Sequence, residues 1–490
     1  MQPAGIAVIL GTWSSVYLLD AFLKSNKSTA RPYIEFLERT GISLSVGQIR
    51  WYTKCLNRVF LRMGQWKPRY LRTWFTAGVV FGMVAMLLSV CLLTLMVYNT
   101  LTRQHIEQQV LTPVMPGVNL PMNQIFYYLL TLLVCGILHE VGHAVAAVRE
   151  QVRVNGFGIF ILAVYPGAFV DLYTEHLQVI SPIRQLRIYC AGVWHNFIIV
   201  IVALLVWFLL PWMLMLFYSS GTGVAITYVL QGSAVSGPRG LVTGDHVTSI
   251  NHCRVTNVED WMQCIGQSMK DPSSGYCMPV GEIGVQDVSY NQNYVTVMGN
   301  IECCNSTSST HLCFLYHTKA SPNKLKHACL PARSTSDRPP CRLQSDCRNP
   351  KVETACVYPS LDNSTTFLKV YRYGKAPLLF LGHPLDLHYS VHISNYVPVG
   401  VFIPLNMPYV IETFCQYLIS LSGALAILNV VPCYALDGQW ILLAFIEYTL
   451  RSTIPDSDIR GLIYSVIILF GTLLLTANIV IAMWTLFATS

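Results

Sequence analysis

Three residues in one apolar stretch have the types and the spacing of a hydrolytic metal site. Residues 125–148, IFYYLLTLLVCGILHEVGHAVAAV, are long enough to cross a bilayer as a single helix. Within them, His139 and His143 are four residues apart and share one helix face, where both imidazoles can bind one Zn²⁺. Glu140 is placed beside them to take a proton from an attacking water molecule. Because an ionised Glu in a spanning helix costs roughly 2.5–3.5 kcal/mol, we interpret this Glu as functional rather than accidental.

A zinc ion bound by two histidines needs a third protein ligand, and few acids lie near apolar segments. Asp437 follows the apolar residues 409–431 and a helix-breaking proline, and Gly438 after it permits close approach of another backbone. Asp171 and Glu412 are the alternatives. The residues alone favour Asp437, because it lies in a broken helix at membrane depth, where irregular backbone lines a protein or water-filled site.

The composition is that of an integral membrane protein. Hydrophobic residues make up 53% of the 490 residues and charged residues only 12%, against about 25% in soluble domains. Six apolar stretches are predicted to span the membrane: residues 5–23, 75–98, 125–148, 188–218, 409–431 and 462–487. The first lacks a preceding basic segment and a small-residue cleavage site, so it is predicted to be a retained span.

One further apolar segment is too irregular for a span. Residues 155–173 are interrupted by several glycines and a proline, which predicts a re-entrant hairpin or a sheet-like insertion. The predicted fold class is therefore a polytopic α-helical membrane protein with about six spans, one such β insertion and a large polar domain.

Positive charge is concentrated between residues 24 and 74. This block has eleven Lys and Arg and two Glu, a balance of +9 that exceeds the +7 of the whole chain. Its position beside spanning helices indicates a cytosolic segment, contact with anionic lipid headgroups or simply a solvated face. Part of the block is predicted to be an amphipathic helix on the bilayer surface. Charge confined to one block does not indicate nucleic-acid binding, so no direct nucleic-acid partner is expected.

Ten of the sixteen cysteines lie close together in a polar part of the chain. They are Cys253, Cys264, Cys277, Cys303, Cys304, Cys313, Cys329, Cys341, Cys347 and Cys356. An even number in a loop-rich region predicts a disulfide framework, with zinc ligation as the alternative, although no pair has CxxC spacing. The glycosylation sequons at Asn305 and Asn363 also favour an oxidising lumen.

The polar region, residues 219–408, begins and ends with strand-like segments. Residues 224–230 and 246–251 alternate in polarity around Gly/Pro turns, and residues 390–399 close the region. The stretch GLVTGDHVTSIN is similar to the strand-turn-strand of a PDZ domain, although a generic β-hairpin explains it nearly as well. The predicted domain boundaries are 1–74, 75–218, 219–408 and 409–490.

Three motifs together resemble the site-2 protease family of intramembrane zinc metalloproteases. HEVGH, GVWHN and NVVPCYALDG occur in that order in membrane segments and fit the family pattern HExxH, GxxxN and NxxPxxxxDG. The segments NGFGIF and YPGAFVDL and the cysteine-rich loop resemble animal members of the family. The resemblance implies that His139, His143 and Asp437 bind one Zn²⁺ per chain and that Glu140 is the general base and acid.

The resemblance also gives roles to two amides. It places Asn429 near the metal, where it would hold substrate backbone or the oxyanion, and assigns Asn196 a similar role. An interhelical hydrogen bond is an equal explanation for Asn196. His195 is interpreted as a packing residue, because three ligands already complete the protein's share of the site.

The resemblance further implies substrates that are membrane-anchored transcription factor precursors, such as sterol regulatory element-binding proteins and stress-activated activating transcription factors. They would be cut in their membrane segment after a first lumenal cut, in the Golgi or endoplasmic reticulum membrane, with the cysteine-rich domain lumenal. The substrate helix must unwind, and an edge strand from residues 155–173 would hold the unwound stretch. The alternative is a membrane zinc transporter or zinc-binding receptor. A transporter should show polar residues in several spans and repeated halves, and a receptor leaves Glu140 unexplained.

Overall fold

A computed structural model describes residues 3–102, 120–237, 239–270, 274–290, 294–295, 301–305, 310–318, 321–348, 352–362, 364–400 and 402–489. The chain forms two compact units. The membrane unit comprises Met1–Leu210 and Val410–Ser490, and the cysteine-rich unit comprises Pro211–Tyr409.

The helices in chain order are α1 Pro3–Ser25, α2 Ala30–Thr40, α3 Asn57–Gln65, α4 Pro68–Leu101, α5 Ile125–Arg149, α6 Thr174–Val179, α7 Pro182–Leu214, α8 Val258–Lys270, α9 Val280–Gln286, α10 Ala332–Ser336, α11 Pro384–Tyr389, α12 Met407–Asn429, α13 Asp437–Leu450 and α14 Ser457–Thr489. The strands are β1 Ile42–Ser45, β2 Gln48–Thr53, β3 Val154–Leu162, β4 Tyr165–Leu172, β5 Tyr218–Ser219, β6 Val224–Val229, β7 His246–Ile250, β8 Cys253–Arg254, β9 Gly275–Pro279, β10 Tyr294–Val295, β11 Ile301–Glu302, β12 His311–Thr318, β13 Ser321–Pro331, β14 Pro340–Cys341, β15 Thr354–Pro359, β16 Thr366–Arg372, β17 Lys375–Gly382, β18 Val391–Ser394 and β19 Val397–Pro398.

Six helices are long and apolar enough to cross a membrane, among the residues that the structure describes. Their apolar segments are Ala7–Ser25, Pro68–Thr100, Met122–Arg149, Pro182–Leu214, Met407–Asn429 and Ser457–Trp484. Each contains most of one predicted span, and the protein is a polytopic membrane protein. The sequence did not predict α13, a 14-residue helix that follows the break after α12.

A four-stranded antiparallel sheet completes the membrane unit, in the order β1-β2-β3-β4. Strands β3 and β4 form a hairpin within the segment for which the sequence predicted a hairpin or a sheet-like insertion. The N-terminal hairpin β1–β2 joins this sheet through β2, which pairs with β3 from Gln48↔Leu162 to Thr53↔Phe157. The basic block was predicted to contain an amphipathic helix, and no strand was predicted there. In the structure it contains α2, β1, β2 and α3, and β4 is left as the edge strand beside α5.

The core around α5 ties these elements together. Phe60 of α3 and Phe157 of β3 are almost fully buried, with ring centroids 6.0 Å apart. Phe75 of α4 and Ile188 of α7 are buried in the same cluster. Burial of each such side chain contributes about 1.5–3 kcal/mol, so the N-terminal segment is held against α5 by packing and to β3 by strand pairing.

The cysteine-rich unit contains two larger sheets. One has the order β17-β16-β7-β6-β18, with β8 paired to β7, and packs with α8 through the fully buried Trp261. The other has the order β13-β12-β15-β9-β14. The predicted strand segments near residues 224–230, 246–251 and 390–399 contain β6, β7 and the pair β18 and β19.

The ten clustered cysteines form five disulfides in the described part of this unit. The pairs are Cys253–Cys264, Cys277–Cys347, Cys303–Cys313, Cys304–Cys329 and Cys341–Cys356. The disulfide framework, rather than zinc ligation, therefore accounts for these residues. Of the two sequon asparagines, Asn305 is exposed, and Asn363 lies outside the described residues.

A buried ion cluster fixes the turn of the GLVTGDHVTSIN stretch. The Asp245 carboxylate accepts hydrogen bonds from Arg372 at 2.9 Å and from Lys375 at 2.6 Å. Burial opposes ionisation of Asp245, but the hydrogen bonds from Lys375 and Arg372 outweigh it and hold its pKa below the ordinary value. The cluster joins the turn before β7 to the β16–β17 hairpin.

Candidate metal centre

Helix α5 directs two imidazoles to one point. His139 and His143 are one helical turn apart and each is only 6% exposed. Their Nε2 atoms are 3.1 Å apart. Two histidines on one face of a spanning helix were the first prediction from the sequence, and the structure brings them together.

Asp437 reaches the same point from a distant part of the chain. Helix α12 ends at Asn429, and α13 begins at Asp437 after an irregular connection in which Ala435 has a φ of 70°. Gly438 lies against the backbone of this connection, since an added Cβ would be 2.0 Å from the carbonyl oxygen of Val431. The Asp437 Oδ2 atom is 2.9 Å from Nε2 of His139 and 3.3 Å from Nε2 of the second histidine.

The two acids considered as alternative third ligands, Asp171 and Glu412, do not join the two histidines. Asp171 accepts hydrogen bonds from Tyr52 and Asn155, and Glu412 lies in the first half of α12. Among the described residues, the group of His139, His143 and Asp437 is the one in this unit whose ligand atoms lie within 4.8 Å of one another.

The outer nitrogens of both imidazoles have protein partners that set their tautomers. His143 Nδ1 donates to the Ile188 carbonyl oxygen at 2.8 Å, which leaves its Nε2 with a free lone pair. His139 Nδ1 is 3.1 Å from the side-chain amide nitrogen of the fully buried Asn196, whose amide oxygen is left without a hydrogen-bond partner among the described residues. Exchanging the oxygen and nitrogen of this amide satisfies both groups: Nδ1 then donates to the oxygen, and Nε2 of this histidine also has a free lone pair.

The donor set fits Zn²⁺. Two imidazole nitrogens and one carboxylate oxygen converge at 2.9–3.3 Å, a spacing at which a metal cation between them would take up all three lone pairs and relieve their mutual repulsion. Two histidines with one carboxylate, and an open fourth position, are typical of catalytic zinc sites. His139, His143 and Asp437 can therefore hold the ion.

Sequence reasoning missed Gly192 of α7, the residue that leaves room for the two imidazole nitrogens. A Cβ added at this glycine would lie 2.3 Å from Nε2 of His143 and 2.5 Å from Nε2 of His139. The signal was present in the sequence, because Gly192 is the first residue of GVWHN, one turn before Asn196.

Replacing Gly192 by Ala is expected to lower zinc affinity by at least about tenfold, because the methyl group displaces the ligand nitrogens. Equilibrium dialysis against buffered zinc measures this loss. Gly423→Ala is the matched control, since its Cβ would meet Val200 at 3.9 Å, an ordinary contact. Equal zinc affinity in the two variants would contradict the position assigned to the ion.

Glu140 is held beside the metal group by the sheet. Its Oε2 atom accepts a hydrogen bond from the backbone N–H of Val170 in β4 at 3.0 Å. The other carboxylate oxygen remains to take or give a proton. The edge of β4, which pairs with no strand other than β3 among the described residues, therefore faces the helix that contains His139 and His143.

The remaining sequence candidates lie at different distances from the centre. His195 donates from Nδ1 to the Ala191 carbonyl oxygen at 2.7 Å and packs near Phe75, in agreement with its interpretation as a packing residue. Asn429 is the half-buried last residue of α12. Within the described residues, no hydrogen bond joins Asn429 to the two histidines or to Asp437.

Comparison with known proteins identifies the family. A family model described as Peptidase family M50 matches residues 127–474, well over half of the chain. The chain belongs to peptidase family M50. A protein of Arabidopsis thaliana named membrane-bound transcription factor site-2 protease homolog is 24% identical over 425 residues, which are 79% of this chain and 82% of that protein.

Membership of the M50 family, whose members are intramembrane zinc metalloproteases, confirms the resemblance seen in the motifs, and this protein is a metalloprotease. The matched residues begin two residues inside α5 and end inside α14. They include the metal group and Glu140, whereas α1–α4 and the β1–β2 hairpin lie before them.

Proposed function

We propose that His139, His143 and Asp437 hold one Zn²⁺ and that Glu140 is the general base and acid of an intramembrane endopeptidase. The observation that supports this assignment is the convergence of three lone-pair atoms beside a carboxylate in a spanning helix. Zinc bound by these residues would supply Lewis acidity to the scissile carbonyl and would lower the pKa of the attacking water toward about 7.

The protein's own groups perform the proton transfers. The free oxygen of Glu140 accepts a proton from the attacking water and returns it to the nitrogen of the leaving amine. Asn196 and the Ile188 carbonyl keep the two imidazoles oriented through these steps. Asn429 is proposed to hold substrate backbone or the oxyanion, and Asn196 has a supporting role in the same site.

A substrate helix must unwind before its peptide bond can react, because its carbonyls are hydrogen-bonded within the helix. We propose that the unwound segment pairs with the edge of β4 at the residues before Val170, whose own N–H is already engaged by Glu140, as in strand addition to other sheets. Ala168 and Val170 have the same orientation in this strand, and the amide of Val170 faces Glu140. Strand addition here brings an extended substrate to the metal group.

The proposed substrates are membrane-anchored transcription factor precursors that have undergone a first lumenal cut, as in sterol and endoplasmic reticulum stress signalling. The name of the Arabidopsis relative, which refers to membrane-bound transcription factors, supports this class. We place the protein in the Golgi or endoplasmic reticulum membrane, with the cysteine-rich unit lumenal, PDZ-like and glycosylated at Asn305 and Asn363. Five disulfides support that compartment. The proposed domain boundaries remain 1–74, 75–218, 219–408 and 409–490.

Metal removal tests the activity directly. The full chain in detergent micelles is expected to contain about one zinc per chain and to cleave a fluorogenic peptide that includes a membrane-spanning segment. Treatment with a chelator should abolish cleavage, and added Zn²⁺ should restore it. Cleavage that persists in metal-free protein would contradict the proposal.

The same preparation tests the transporter alternative. Reconstituted into vesicles loaded with a zinc-sensitive dye, the protein is expected to produce no zinc influx above that of empty vesicles. Saturable influx without peptide cleavage would favour the transporter and overturn the assignment of Glu140 as a base.

A further inference from the structure

The N-terminal hairpin contributes directly to the sheet that contacts Glu140. Strand β2 pairs with β3 over six residue pairs, although residues 48–53 lie before the part of the chain that the family model matches. A two-stranded hairpin is only marginally stable by itself, whereas three or more strands with an apolar face hold their register. The β1–β2 hairpin thus extends the β3–β4 hairpin to a four-stranded sheet and stabilises its register.

The side chain of Tyr52 contacts both strands of the β3–β4 hairpin. Its ring lies over Gly156 of β3, where an added Cβ would be 2.4 Å from the ring. The ring also stacks on Phe169 of β4, with centroids 6.4 Å apart and an angle of 20° between the planes. This arrangement explains one glycine of the NGFGIF segment, because only a residue without a side chain leaves room for the tyrosine.

The Tyr52 hydroxyl reaches β4 one residue from the amide that contacts Glu140. It donates to Asp171 Oδ2 at 3.3 Å, and the side-chain amide of Asn155 donates to Oδ1 of the same carboxylate at 3.2 Å. The next residue toward the N-terminus is Val170, whose N–H donates to Glu140. Hydrogen bonds to both carboxylate oxygens of Asp171 therefore fix the part of β4 that contains the Val170 amide.

Asn155 is itself held by a hydrogen bond from the same N-terminal segment. Asn57, the first residue of α3, donates from its side-chain amide to the carbonyl oxygens of Val154 at 3.2 Å and Asn155 at 3.0 Å. Tyr52 and Asn57 thus hold the open end of the β3–β4 hairpin from two elements: Tyr52 contacts Asp171, the neighbour of Val170, and Asn57 fixes the start of β3 opposite Leu172.

We infer that Tyr52, acting through Asp171, is a positioning residue for the general base: it fixes β4 so that the Val170 amide holds one oxygen of Glu140 and leaves the other for proton transfer. This inference rests on the proposed role of Glu140. Loss of the hydroxyl should lower turnover without removing the metal, because Tyr52 contacts none of the ligands.

The test compares two tyrosine-to-phenylalanine variants of the full chain. Tyr52→Phe removes the hydroxyl that donates to Asp171, and Tyr33→Phe removes a similar hydroxyl that donates to Asp20 at 3.0 Å. Loss of one hydrogen bond is expected to lower kcat about three- to tenfold in Tyr52→Phe, with KM and zinc content unchanged. Tyr33→Phe should have the kcat, the KM and the zinc content of the wild type. Asp171→Asn should lower kcat similarly, and the double variant Tyr52→Phe/Asp171→Asn should lose no more than the larger single loss.

Amide hydrogen exchange provides a readout that needs no catalysis. The peptide covering residues 166–172 is expected to exchange faster in Tyr52→Phe than in wild type or Tyr33→Phe, and Glu140→Ala should also accelerate it by removing the acceptor. Equal exchange in the two tyrosine variants, or an unchanged kcat in Tyr52→Phe, would overturn the inference. If the wild type cleaved no peptide, the proposed function would fail, and the exchange data would still decide whether Tyr52 positions this amide.

Discussion

Replacing Glu140 by Gln is expected to lower kcat by about 10²–10⁴-fold, the usual contribution of a general acid–base group, while zinc content stays at the wild-type level. The glutamine amide cannot accept the proton of the attacking water. It keeps the size of the side chain and an oxygen that can still accept from the Val170 amide. Zinc content should persist because the proposed ligands are His139, His143 and Asp437, none of which the substitution changes.

The measurement combines metal analysis with single-turnover cleavage of a membrane-spanning peptide. Glu150→Gln is the matched control. Glu150 is a buried glutamate one residue beyond the end of α5 that is paired with Arg184 and Arg187, so it tests whether any lost carboxylate near this helix has the same effect. Its variant should show a reduced thermal midpoint rather than a selective loss of kcat. A Glu140→Gln protein that cleaves at a near-normal rate would refute the assignment of the base.

The features that could be predicted from the sequence are those that depend on the spacing of residues close together in the chain. The pairing of His139 with His143 follows from helical periodicity, and the six spans follow from runs of apolar residues as long as the bilayer is thick. The choice of Asp437 over Asp171 and Glu412 was also accessible, because a proline and a glycine beside an apolar segment indicate a broken helix. The structure brings Asp437 to the histidines and leaves the other two acids elsewhere.

Features that depend on contacts between distant segments were not predictable. Strands β1 and β2 are short and lie in a block whose charge dominated its interpretation, yet β2 pairs with β3 about a hundred residues later in the chain. Gly192 illustrates the same difficulty in part: the GVWHN motif marks this glycine in the sequence, but only the structure shows that the space it leaves is needed by His139 and His143. Asn196 was left between two roles, and its contact with His139 gives it a third, as an orienting partner of a ligand.

Substitution of Asp437 is expected to have the opposite signature from that of Glu140. Asp437→Asn should weaken zinc binding by more than about 100-fold, because outer partners of ligands alone contribute roughly 10–100-fold and this residue is itself a proposed ligand. It is also the one charged group among the three ligands, so the amide leaves Zn²⁺ in a site without a balancing negative charge. Cleavage should then disappear at limiting zinc and return in part when zinc is raised.

Zinc titration of the purified full chain, followed by cleavage assays at each zinc concentration, measures both effects. Glu412→Gln is the control, since it removes the rival acid of α12 with the same change of charge and should bind zinc as the wild type does. Wild-type zinc affinity in Asp437→Asn together with loss of zinc in Glu412→Gln would show that α13 does not complete the site. The expected pattern separates the two acids by function: Glu140→Gln retains zinc without turnover, whereas Asp437→Asn loses turnover because it loses zinc. Only a centre in which one acid binds the metal and the other transfers protons produces that pair of results.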